Sequence, residues 1–217
     1  MFAASSLTDA FDRLAGRFEK DHAGTSVRLN LTSSSELAAQ IEQGADADVF
    51  ASADMANAER IASAGLAKGE PRVFAHNKLA LIVPPDNPGE VESLADLADD
   101  RLVISLCNDE CPAGVYASQL FDKADLQVQP DSLETEVRGV VTRVATGEAD
   151  AGIVYSSDAA AVGDDVRTIE IPDRLNVTAT YPVVLLKGAS RAAADFIDLL
   201  LSSDGQRVIE GFGFLPR

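Results

Sequence analysis

The stretch FAASSLTDAF, residues 2–11, decides how the chain is read. Phe2-Ala3-Ala4 reads as the end of a short buried strand. Ser5 and Ser6 follow, and Phe11, Leu14 and Phe18 then recur at close to helical spacing. A serine just ahead of an apolar-periodic segment marks a helix start. A strand that runs into a serine-capped helix presents free backbone N–H groups and the positive end of the helix dipole. That combination suits an anion. An ordinary N-cap has the same look, so the reading depends on whether the device recurs.

It recurs three times. Val27, Leu29 and Leu31 alternate with polar residues, so residues 26–31 read as a strand that ends in Thr32-Ser33-Ser34-Ser35-Glu36. Ser33 with Glu36 has the spacing of a capping box ahead of Leu37, Ala38 and Ile41. Residues 102–106 form a buried strand followed by LCNDECPAG, where Pro112 takes a helix N1 position and Ala113 and Gly114 allow close approach to backbone N–H groups. The fourth junction is the turn Glu136-Val137-Arg138-Gly139. It opens a helix whose face is Val137, Val140, Val141 and Val144. The apolar run GIVY delivers Tyr155 to a strand end beside Ser156, Ser157 and Asp158.

Between these junctions, residues 48–52 and 79–83 read as strands and residues 55–66 as a helix. Leu94 and Leu97 mark a short helix; residues 166–171 and 181–186 read as strands. Ala193, Phe196, Ile197, Leu200 and Leu201 form a late helix face, and Val208, Ile209 and Phe212 another. Strands alternate with helices, which predicts an α/β fold with largely parallel sheets. In such sheets ligands sit beyond the carboxyl ends of the strands. The expected organisation has two lobes, 1–77 with 181–217 and 78–180. The chain would cross between them near 75–80 and 178–183, with a ligand cleft between two mixed-sheet domains.

Composition narrows the partners. Eighteen Lys plus Arg stand against 35 Asp plus Glu, a formal net charge of −17, and 46% of residues are hydrophobic. Such a chain is unsuited to nucleic acid or anionic membrane surfaces, which require basic patches. An anion site here must work at short range through hydrogen bonds. No apolar run approaches the roughly 18 residues of a membrane-spanning helix. Met1 stands almost directly before the first strand, so a secretion leader is expected to have preceded the chain, with Met1 in its place. Cys107 and Cys111 can be bridged or remain free thiols. A bridge is the expectation; its chain-entropy contribution would be about 2 kcal/mol, and it would place the chain outside the cytoplasm.

Other chemistries lack a foothold. His22 and His76 are the only histidines and read as loop or surface residues; no HExxH, GxSxG or GxxxxGK[ST] occurs. Asp46, Asp48 and Asp54 do not match a calcium loop and read as solvated acids. Arg138 reads as a structural ion-pair partner. Neither a catalytic residue nor a cofactor is expected.

FAASSLTDAF, SSSELAAQIEQGADADVFASAD, CPAGVYA, EVRGVV, ADAGIVYSSDA and YPVVLL, in this order and spacing, resemble the periplasmic molybdate-binding protein (ModA) family, solute receptors of bacterial ABC importers. The resemblance spans nearly the whole chain. It implies a type II periplasmic binding protein whose two lobes close by a hinge on molybdate, and on tungstate as well. The bound oxyanion would pass to an ABC importer permease. The binding protein would be monomeric and periplasmic or extracellular at the membrane, with molybdenum present only inside the oxyanion. Carried over by motif, Ser6 and Ser34 would bind through hydroxyl and backbone N–H, Ala113 and Val137 through backbone N–H, and Tyr155 through its phenol. Ser33 and Ser35 stay open beside Ser34. The cysteine loop before Pro112 departs from the family pattern. The alternatives are a receptor for sulfate or another tetrahedral oxyanion, and an oxyanion-sensing regulator domain.

Overall fold

The computed structural model describes Met1–Arg217 throughout, and the chain divides into two compact units, Met1–His76 with Thr180–Arg217, and Asn77–Ala179. The two crossings fall inside long strands, β4 (Arg72–Val83) and β9 (Thr178–Leu185).

In the first unit, β1 (Phe2–Ala4) is the centre of a small sheet. It pairs in parallel with β2 (Asn30–Thr32) on one side and β3 (Val49–Ala51) on the other, and β9 runs antiparallel beyond β3. Helices α2 (Ser34–Glu42) and α3 (Met55–Ser63) cover a cluster of Phe2, Leu37, Ile41, Phe50, Ile61 and Val184. Helices α1 (Thr8–Asp21), α7 (Arg191–Leu201) and α8 (Ser203–Gly211) pack on one another, and Phe11, Phe18, Phe74 and Phe196 meet there at ring separations of 5.4–6.1 Å. The i, i+3, i+7 spacing of Phe11, Leu14 and Phe18 thus puts all three in the core.

In the second unit, β5 (Ile104–Cys107) is central, parallel to β6 (Ser132–Glu134) and to β7 (Ala151–Tyr155). β4 lies antiparallel to β7 and to β8 (Arg167–Ile169). Helices α4 (Pro112–Ala124) and α5 (Val137–Ala145) pack on β5 and β7. Gly152 makes the α5 contact close: a Cβ there would stand 2.6 Å from Val140 Cγ1. Helix α6 (Ser156–Val162) follows β7 without a loop.

Several elements differ from the sequence reading. Residues 26–29 are not strand, because their backbone groups are satisfied elsewhere. Val27 N–H donates to Glu19 Oε1 (2.7 Å) and the Met1 ammonium donates to Arg28 O (2.7 Å). β4 begins seven residues earlier than the apolar run, in a stretch where polar residues interleave. Among them, Asn77 is buried because its amide donates to Ser157 Oγ (2.8 Å), and His76 is a strand residue bridged to Leu215. β6 and α6 are unforeseen: the first is three residues long, and the second is Ser, Asp and Ala with no apolar period. Asp48 and Asp54 are not merely solvated. Asp54 caps α3 by accepting from Asn57 N–H (2.8 Å), and Asp48 accepts from Ser190 N–H (2.7 Å).

Candidate oxyanion-binding site

The register of the first sheet decides where its polar junctions fall. Ala4 lies beside Thr32, and Ala3 beside Ala51, in parallel strands. The segments that leave those strands, Ser5-Ser6, Ser33-Ser34 and Ser52-Ala53, therefore emerge together at one carboxyl edge. Ser5–Leu7 forms a 3-10 turn, and α1 begins only at Thr8 with Leu7 at its N-cap. The expected serine cap is absent. Thr8 Oγ1 instead donates to Ser5 O (2.6 Å), and the Ser6 hydroxyl turns away from the helix to meet Tyr181 Oη at 3.0 Å. A long-range partner has displaced the local cap.

At the second junction Ser33 is the N-cap of α2. Its Oγ accepts from Glu36 N–H (3.3 Å), while the Glu36 carboxylate accepts from Thr32 Oγ1 (2.7 Å) rather than closing a capping box. That separates the serine triplet. Ser33 is committed to the cap and to Ser35, 3.3 Å away, whereas Ser34, only 1% exposed, accepts from Ala53 N–H (2.9 Å). Ser6, Ser34 and their partners Tyr181 and Ala53 all belong to the first unit.

The second unit repeats the arrangement. Cys107 lies beside Glu134, and Ser105 beside Gly152, in parallel strands. Ala113 and Val137, in the first turns of the helices after β5 and β6, and Tyr155, the last residue of β7, therefore share that sheet's carboxyl edge. All three are buried. Neither α4 nor α5 receives a side-chain cap, in contrast to α2, α3, α7 and α8, whose first turns donate to Ser33, Asp54, Ser190 and Ser202. Tyr155 N–H donates to Asp158 Oδ2 (3.2 Å), and its ring meets Tyr116 edge-on at 6.4 Å.

The role of Gly114 differs from the sequence reading. A Cβ there would stand 2.0 Å from Asn108 O and 2.6 Å from Cys107 O, so the glycine admits the cysteine loop's own backbone. Cys107 and Cys111 are buried free thiols with Sγ atoms 2.8 Å apart, not the expected bridge. Their hydrogen bond and burial push the Cys107 thiol up. The same bond, aided by the Ala113 and Gly114 N–H groups and opposed by burial, holds the Cys111 thiol below its ordinary value.

The structure thus gathers Ser6 with Ser34 on one strand edge, and Ala113, Val137 and Tyr155 on another. Each set consists of uncharged donors. The sequence reading missed Ala53 and Tyr181 as partners of the serines. Tyr181 carries no local signal, being a tyrosine between Thr180 and Pro182 in a strand, and its contact with Ser6 spans 175 residues.

Two α/β units linked by two strand crossings, with donor-rich strand ends, define the solute-binding class of transport receptors. The chain matches the bacterial extracellular solute-binding protein family over residues 1–215 and belongs to it. It is 37% identical over 216 residues to the molybdate-binding protein ModA of Mycobacterium tuberculosis, covering 99% of this chain and 83% of the relative. It is 34% identical over 228 residues to ModA of Haemophilus influenzae, covering 99% and 88%. The fold matches the Azotobacter vinelandii periplasmic molybdate-binding protein with a TM-score of 0.85 at 24% identity, over 100% of this chain and 98% of the other. It also matches the sulfate-binding protein SubI of Mycobacterium tuberculosis, with a TM-score of 0.84 at 15% identity over 99% and 85%. The resemblance to the ModA family therefore holds along the whole chain, and the fold is that of the periplasmic binding proteins. The relatives are solute-binding proteins rather than enzymes, and no helix is long and apolar enough to cross a membrane.

Proposed function

We propose that this chain captures molybdate, and tungstate with it, outside the cytoplasm and delivers it to the permease of an ABC importer, without catalysis and without a cofactor. Ser6 and Ser34 would bind by hydroxyl and backbone N–H, Ala113 and Val137 by backbone N–H, and Tyr155 by its phenol. The observation that carries this reading is the grouping of those residues at the carboxyl edges of the parallel strands, in a chain 37% identical to a molybdate-binding protein over nearly its full length.

The chemistry of the donor set supports it. Molybdate is a tetrahedral dianion, and uncharged donors satisfy its oxygens without a compensating cation. Bonds to a charged group contribute about 1.5–3 kcal/mol each. Several of them, less desolvation, leave room for the roughly 8–12 kcal/mol of micromolar-to-nanomolar binding. A site made of donors alone disfavours hydrogen phosphate, whose O–H would meet no acceptor at a cost of about 1–3 kcal/mol. Sulfate carries no such proton, so pocket dimensions must discriminate against it.

Calorimetric titration with molybdate, tungstate, sulfate and phosphate tests the reading. Tight uptake of the first two, weaker sulfate and no phosphate is the expected order. Tightest binding of sulfate would reassign the ligand, and no uptake of any oxyanion would remove the function.

A further inference from the structure

We propose that Tyr181 is a positioning residue for oxyanion capture: by donating its phenolic proton to Ser6 Oγ, it leaves the single Ser6 hydroxyl proton directed at the anion. The inference rests on the oxyanion reading above and adds a residue to it.

A serine hydroxyl has one proton and two acceptor positions. Against an anion only the proton is useful; a lone pair turned to the ligand repels it. An isolated hydroxyl rotates among three staggered wells and spends much of its time badly aimed. A protein donor seated on one lone pair removes that freedom. Ser6 Oγ and Tyr181 Oη lie 3.0 Å apart, both side chains buried, in a geometry where either could donate. Once Ser6 gives its proton to an anion, only Tyr181 can donate across that contact.

The neighbouring junction is built the same way. Ser34 Oγ accepts from Ala53 N–H at 2.9 Å, a donor with no alternative role, so the Ser34 proton must go elsewhere. Two serines on adjacent strand ends thus each meet a protein hydrogen-bond partner at the hydroxyl oxygen, one a backbone amide and the other a tyrosine.

The Tyr181 ring is held firmly enough to do this. It is fully buried on β9, with edge contacts to Phe74 (6.2 Å, 79°) and Phe214 (5.2 Å, 83°). Tyr181→Phe keeps these contacts and removes only the oxygen.

The test is a double-mutant cycle read by molybdate titration on the wild type, Tyr181→Phe, Ser6→Ala and the double variant, with thermal melts on all four. Tyr181→Phe is expected to raise Kd about threefold to tenfold, the worth of one well-aimed hydrogen bond. In the Ser6→Ala background the same change is expected to alter Kd by less than about twofold, because no hydroxyl remains to be aimed. A structural role for Tyr181 would raise Kd equally in both backgrounds or in neither, following the melts. Equal losses with and without Ser6, or an unchanged Kd in Tyr181→Phe, overturns the inference while the receptor function stands. A wild-type protein that takes up no oxyanion overturns both.

Discussion

The buried Sγ atoms of Cys107 and Cys111 stand 2.8 Å apart at the two ends of the loop that leads into Pro112 and Ala113. Cys111 directly precedes the first turn of α4, and the Ala113 N–H, a proposed ligand donor, is among the groups that hold the Cys111 thiol below its ordinary value, so a thiolate there would compete with the incoming dianion. Exchange with a small disulfide such as oxidised glutathione would convert the two thiols to a bridge and yield two glutathione thiols. The bridged form has no thiolate to offer. In the reduced protein, molybdate affinity should therefore fall as pH rises through the titration of Cys111, whose hydrogen bond with Cys107 holds its thiol below the ordinary value. Titrations across that range should show the decline in reduced wild type and a flat profile in the oxidised protein and in Cys111→Ser. A flat profile in the reduced wild type would separate the cysteine loop from the anion.

Ser34→Ala should act twice. It removes a proposed ligand hydroxyl, raising Kd about tenfold or more, and it strips the buried Ala53 N–H of its acceptor, costing about 1–3 kcal/mol of stability. Tyr155→Phe should weaken binding by a similar factor in a protein that still folds. Titration and melting of both variants check this, and unchanged affinity in both would put the site elsewhere.

Gly114→Ala is expected to harm stability before it harms chemistry. The added methyl would lie 2.0 Å from the Asn108 carbonyl oxygen, and overpacking of this kind costs about 1–3 kcal/mol. Because the loop must shift, Ala113 moves with it, so a lowered melting temperature should come with weaker molybdate binding. A variant with wild-type melting would show that the loop yields freely.

A net charge of −17, from 35 acidic and 18 basic side chains, opposes compaction. The exposed pairs Arg60–Glu42 and Arg101–Asp99 offset little of it, since such pairs contribute about 0–1 kcal/mol. Screening at about 1 M salt shortens the Debye length to about 3 Å, so the melting temperature should rise between low salt and that concentration. A fall would mean that the ion pairs outweigh the repulsion.

What could be read from the chain, and what could not, divides along physical lines. The helix of Val137, Val140, Val141 and Val144 and the strand ending at Tyr155 carry strong periodicity or an unbroken apolar run, and they fold as read. The junction residues were legible because each stands next to such an element. Ser34 stood out from its triplet only through the family resemblance, since the three hydroxyls look alike in sequence; in the structure Ser33 caps α2 and Ser34 accepts from Ala53 N–H. Tyr181 was illegible for a related reason: its partner lies 175 residues away, and a tyrosine in a strand is ordinary. The start of β4 was hidden because Asn77 is buried by a hydrogen bond, which a hydropathy pattern reads as exposure.

A crystal structure of the molybdate-soaked protein, with molybdenum located by its anomalous scattering, tests the proposed donor set most directly. The expected result is a single strong peak with Ser6, Ser34, Ala113, Val137 and Tyr155 all donating to its oxygens. A peak at any other place, or one touched by only one of the two donor sets, would contradict it.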